Sequence, residues 1–180
     1  METTRSKTKD MALIALFAII IAICAWIYIP TAIPFTMQTF GVFLAVGTLG
    51  GKRGTAAICI YLLLGIIGIP VYARGGSGIG TILGNTGGYM IAWIFSGLVM
   101  WLMEVLFGKK TWVLALSMLL GLIVCYALGT AWYMVLYARA NGSIGLWTAL
   151  SWCVIPFIIP DLIKIALALT VQKRLAPFVQ

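Results

Sequence analysis

Histidine is absent from this 180-residue chain, charged residues make up only 9% of it, and its four cysteines form no C-x-x-C pair. Without histidine or clustered thiols, a zinc or other transition-metal site lacks its usual ligands, and no cofactor is expected. Cys24, Cys59, Cys125 and Cys153 each stand alone in an apolar run and read as buried small hydrophobes. No G-x-x-x-x-G-K-[ST] occurs, so ATP is not bound in that manner. An enzyme embedded in the membrane is disfavoured too, because no span pairs two acids and no nucleophile stands beside a base.

The shortage of charge has its counterpart in 63% apolar residues. Soluble domains average about 45–50% apolar and about 25% charged. Apolar tracts recur along the whole sequence, leaving no soluble domain over. The expectation is an all-α integral membrane protein, a single transmembrane domain over residues 1–180 in a lipid bilayer. The net charge of +8 does not point to nucleic acid, because the basic residues are scattered among the spans.

The first tract, 11–29, is too long for the apolar region of a signal peptide and lacks an A-x-A exit, so it reads as a transmembrane helix. Pro30 and Pro34 end it with a short extended link. A second span, 38–49, is too short to cross straight and reads as broken or as starting inside a cavity. A turn at Gly50–Gly54 carries Lys52 and Arg53. The third span, 55–69, stops at Pro70. Residues 70–88 form a glycine-rich outer loop, and 89–107 and 111–137 are the fourth and fifth spans. A polar link with Arg139 and Asn141 leads to a modest apolar stretch, 144–155, that suits a short interfacial helix. Pro156 and Pro160 then bracket a kink in the last span, 157–175.

With the N-terminus in the cytoplasm, the inner side holds Arg5, Lys7, Lys9, Lys52, Arg53, Lys109, Lys110, Lys173 and Arg174, and the outer side Arg74 and Arg139. That asymmetry is what the positive-inside rule requires. It predicts six transmembrane helices with both termini cytoplasmic.

Three places could carry chemistry. The glycine-rich loop then lies on the outer face, where irregular backbone is tolerated if it lines a cavity. Ile79, Ile82 and Leu83 interleave with its glycines and predict that it folds down as a lid or lining. Asp161 and Lys164 lie in a span, where each charge costs roughly 2.5–3.5 kcal/mol on the insertion scale, and three-residue spacing puts them on one helix face. They could satisfy each other, contact a ligand, or both. Asn85 and Tyr89 flank the Gly-Gly that opens the fourth span. Asn85 offers donor and acceptor, and Tyr89 an apolar face with a hydroxyl. Together the four suit a small heterocycle with N–H donors and a carbonyl, with or without a carboxylate. Glu104, near the inner end of its helix, reads as snorkelling to the interface. Ala18-x-x-x-Ala22 permits close helix contact, inside the bundle or with another subunit.

Taken in order, Pro34-Phe-Thr-Met-Gln-Thr-Phe-Gly41, Gly65-Ile-Ile-Gly-Ile-Pro-Val71, the Gly75–Gly80 run, Gly84-Asn-Thr-Gly-Gly-Tyr89 and Pro156-Phe-Ile-Ile-Pro-Asp-Leu-Ile-Lys164 resemble the BioY family over nearly the whole chain. Its members are the biotin-binding S components of energy-coupling factor (ECF) transporters. The family often has glycine where this chain has Pro160. The resemblance implies an S-component-like bundle with its pocket near the outer face. It implies that Asp161 binds the ureido ring, with Asn85, Tyr89 and Lys164 close by. Gln38, Arg74, Gly75, Gly76 and Gly78, which fall in or beside the same motifs, are further candidates for ligand contact. It gives Ala18 and Ala22 a coupling role toward a transmembrane scaffold (T) subunit, and adds two ATPase subunits as partners. The alternatives are an S component for a different vitamin and an autonomous secondary transporter. The latter would be expected to show inverted repeats, and none is evident.

Overall fold

The computed structural model describes residues 2–30 and 35–179, with side chains from residue 7 onward. Four of its helices are long and apolar enough to cross a membrane: α1 (Glu2–Trp26), whose apolar part is Lys7–Trp26, α5 (Gly87–Phe107), α6 (Thr111–Asn141) and α8 (Ile155–Val179). Between α1 and α5 lie α2 (Gln38–Leu49), α3 (Gly51–Ile66) and the four-residue α4 (Ile79–Ile82), and α7 (Leu146–Cys153) precedes α8. The fold is mostly helical, as the sequence predicts.

The short second span has the expected boundaries. Gly41 through Leu49 are all buried, because α2 is enclosed by α1, α3, α5 and α8. A helix covered all round needs no amphipathic stripe, and at about 18 Å it does not span the ~30 Å hydrocarbon core. Its depth places Gln38, at its first turn, in the interior.

Several boundaries differ from expectation. Helix α1 stops at Trp26, and β1 (Tyr28–Ile29) pairs antiparallel with β2 (Phe35–Thr36), Tyr28 opposite Thr36 and Ile29 opposite Phe35. Pro30 holds Ile29 extended. The expected link is thus closed by a two-stranded ladder; Pro34 lies outside the described residues. The Gly50–Gly54 turn contracts to Gly50 alone, at φ 81°, and Lys52 and Arg53 fall in the first turn of α3. Arg53 bonds Leu49 O (2.9 Å) and pairs with Asp10 (2.7 Å), which ties α1 to the α2–α3 corner. Helix α3 ends three residues earlier than expected, and α6 runs on to Asn141, taking in Arg139. Helix α8 starts before Pro160, whose missing N–H frees only the carbonyl of Pro156 near the helix start.

Two sequence readings are sharpened. Glu104 has a structural partner: its carboxylate accepts from the backbone N–H of Gly51 and pairs with Lys109 at 3.3 Å. Helix α3 has neither a capping side chain nor an acid in its first turn, so a residue from α5 supplies the cap. Glu104→Ala is expected to cost about 1–2 kcal/mol, read as a lower thermal midpoint in detergent, with Glu104→Gln retaining part of it; an unchanged midpoint would remove the capping role. The second concerns Ala18, which takes the alternative of contact inside the bundle. It is 1% exposed and sits with Phe17, Ile21 and Ala25 in the core, on the α1 face that meets α2 and α3. Its small side chain therefore serves contact within the chain and offers no outward docking surface. Ala22 is only partly buried.

The glycine-rich loop is more ordered than a loop assignment implies. It holds a 3-10 turn at Ala73–Gly75 and helix α4, and its last two glycines open α5. Of the three apolar side chains that interleave with its glycines, only Ile82 folds inward, while Ile79 is 61% and Leu83 57% exposed. What holds it down is Tyr72. Its ring lies against Gly65, where a Cβ would overlap it, and its hydroxyl donates to Leu62 O at 2.6 Å.

Candidate functional site

The floor of the site is built on α8. Asp161 and Lys164 share one face, at 4% and 3% exposure, with Lys164 Nζ 2.8 Å from Asp161 Oδ1. Removing two charges from water costs several kcal/mol each and is offset only by close pairing and further polar contacts. Those contacts are present. The Tyr126 hydroxyl on α6 donates to Asp161 Oδ2 at 2.6 Å, and Lys164 Nζ lies 4.1 Å from the centre of the Phe35 ring. Phe35 in turn stacks on Phe157, ring centres 6.2 Å apart. The cluster joins the β2 segment, α6 and α8 at one point.

A cavity of about 320 Å³ opens above this cluster, at the lower end of the range for small-molecule sites. Met90, Trp93 and Leu122 give it an apolar flank, and Gln38, Thr36, Asn85, Tyr89, Asp161 and Lys164 give it polar points. The Asp161 carboxylate has about four acceptor positions and the Lys164 ammonium three donors. The hydrogen bonds above use two of the acceptors and one of the donors. An acceptor and a donor therefore stand side by side at the buried end of the cavity.

The other polar groups differ in how committed they are. Gln38 lines the wall, but its amide donates to Tyr61 Oη at 2.6 Å and accepts from Thr36 Oγ1 at 2.9 Å, which fixes its orientation. Tyr89 bonds Thr130 Oγ1 at 3.0 Å, and its ring is seated against Gly129. Asn85 is exposed and belongs to the mouth, as does Arg74. Thus Asp161, Lys164, Asn85, Tyr89, Gln38 and Arg74 all line one cavity. Gly75, Gly76 and Gly78 do not line it. They shape the loop instead: Gly76 O accepts from Tyr72 N (3.1 Å), and Gly78 N donates to Gly65 O (2.7 Å).

Sequence reasoning missed Tyr126, Phe157, Trp93 and the thiols Cys125 and Cys153, which line the cavity, and Phe35, which backs it through Lys164 and Phe157. Tyr126 carried a usable signal, since a tyrosine hydroxyl in mid-span needs a polar partner. The phenylalanines carried none, because in sequence an apolar ring packed in the site looks like one facing lipid.

The sequence matches the BioY family over residues 1–180. It is 39% identical over 170 residues to a probable biotin transporter BioY from Pyrococcus horikoshii, covering 94% of this chain and 97% of the relative. It is 37% identical over 163 residues to the biotin transporter BioY from Thermotoga maritima, covering 89% and 91%. Its fold is similar to the crystal structure of the S component for biotin from an ECF-type ABC transporter. The TM-score is 0.83 at 29% identity, covering 95% of this chain and 92% of that one.

Proposed function

The chain belongs to the BioY family, and we infer that it is the biotin-binding S component of an ECF-type vitamin importer, a multi-pass protein of the cell membrane. The observation that carries this reading within the site is the buried Asp161–Lys164 pair facing a closed-ended cavity. One edge of a cyclic urea presents an N–H beside a C=O. A carboxylate and an ammonium 2.8 Å apart present the complement: Asp161 accepts the N–H and Lys164 donates to the carbonyl. Tyr126 and Phe35 hold the two charges in place, and Trp93, Met90 and Leu122 cover the apolar ring and chain. Tyr89 packs alongside, and Asn85 closes the mouth.

Membership in a transporter family makes a catalytic role unnecessary. Energy for transport comes, on this reading, from a scaffold (T) subunit and two ATPase subunits. Support for α1 as a contact with the scaffold is that Leu16, Ile19, Ile23 and the partly buried Ala22 face outward on it. Ala18 is left out of that interface.

A vitamin-binding panel on the purified chain in detergent tests the reading. Biotin is expected to bind tightly and to be displaced by no other vitamin at comparable concentration. Absence of binding, or tighter binding of another vitamin, would refute it. Biotin accumulation by proteoliposomes containing this chain alone would favour an autonomous transporter instead.

A further inference from the structure

The wall of the cavity carries three charged side chains among the described residues: Arg74, Asp161 and Lys164. Asp161 and Lys164 neutralise each other at the buried end, so the site as a whole carries one net positive charge, placed at the mouth by Arg74. The backbone there is unusual. Arg74 is the one non-glycine residue with positive φ among the described residues, at φ 61° and ψ 23°. An L-residue in the left-handed region is strained, and such outliers concentrate at functional sites. Glycine would sit there more easily, and glycine follows it directly. The 3-10 turn directs the side chain to the rim, where the guanidinium lies 6.0 Å from the centre of the Tyr28 ring. That contact joins the glycine-rich loop to the β1 segment.

We propose that Arg74 is a specificity-determining residue that selects ligands carrying a free carboxylate at the end remote from the Asp161–Lys164 pair. The inference rests on the biotin reading above and extends it. With the ureido ring at the buried pair, the acid-terminated chain of biotin runs toward the mouth. A guanidinium recognises a carboxylate by paired N–H donors, and its charge at the entrance attracts an anion from solution. The neutral amide of biotin has the same rings and chain but offers no charge. Because Arg74 is exposed, water and salt weaken the interaction, and its effect is modest.

The test compares biotin with its primary amide, each measured by calorimetry on the wild-type chain, Arg74→Gly and Arg74→Lys. Glycine suits the left-handed backbone, so R74G removes the charge, and with it the Tyr28 contact, without straining the backbone of the turn. Wild type is expected to prefer the acid by about five- to tenfold at low ionic strength, with the preference shrinking in 0.5 M salt. R74G is expected to bind the two ligands alike, by losing affinity for the acid alone, and R74K to retain part of the preference. An acid preference that persists in R74G, or none in wild type, overturns the role of Arg74 while leaving biotin binding standing. If neither ligand binds wild type, the biotin reading itself falls.

Discussion

Asp161→Asn is expected to lower biotin affinity by about 100- to 1,000-fold, the largest effect of any single change of atom type in the site. Two losses combine. The carboxylate accepts from Lys164 and Tyr126 and has acceptor positions to spare, whereas an amide offers one oxygen and turns an N–H toward groups that are themselves donors. Lys164 also keeps its charge in a nearly inaccessible position without a counter-ion. Breaking a buried pair from one side costs about 3–5 kcal/mol, and each 1.4 kcal/mol is a factor of ten. Part of that cost falls on stability, so the single variant is judged beside Asp161→Asn/Lys164→Met. Replacing both charges removes the orphaned cation and is expected to recover most of the lost thermal midpoint while leaving biotin affinity low. A D161N chain that binds biotin as wild type does would take Asp161 out of the site. Recovery of binding in the double variant would assign the pair to packing.

Gly87→Ala is the second large effect, and it separates glycines that look equivalent in the sequence. A Cβ at Gly87 would overlap the carbonyl of Ile82, a backbone group that cannot swing aside as a side chain can. The α4–α5 junction would have to shift, moving Asn85, Thr86 and Tyr89 away from the cavity. Strain of this kind costs about 1–3 kcal/mol, and displacement of one wall is expected to lower affinity tenfold or more. Gly80→Ala is the matched control. It lies in α4 with nothing within 4 Å of the added atom, so alanine should be neutral or slightly stabilising. Saturation binding together with thermal midpoints for both variants checks the pair. Equal behaviour of G87A and G80A would show that the junction tolerates movement.

How much of the site was legible follows from the range of the interactions involved. Asp161 and Lys164 were readable because three-residue spacing on a helix is a local fact and because charge in a membrane span is costly wherever it faces. That Tyr126 completes the cluster from 35 residues away is not local. Nor is the placement of Phe35 beneath Lys164, which requires the β1–β2 ladder to fold in against α8. Glu104 shows the same limit. Its position in α5 suggested an interfacial charge, and only the approach of α3 turned it into a cap.

Membrane placement, helical class and the motifs of the family were determined by the amino-acid sequence alone. Transfer of side chains into lipid is nearly additive along the chain, and helix periodicity and motif order are read without knowing what touches what. Which face of each helix turns inward was decided by the tertiary structure. In water an apolar stripe reveals the buried face, but here lipid-facing and core-facing residues are equally apolar. Contact is set instead by close fits such as Gly88 against Trp132 and Gly129 against Tyr89 between α5 and α6, and Gly41 against Ile21 between α2 and α1. Those fits bury Ala18, seat Tyr89 and leave the cavity between α2, α5, α6 and α8 in which Asp161 and Lys164 meet a ligand.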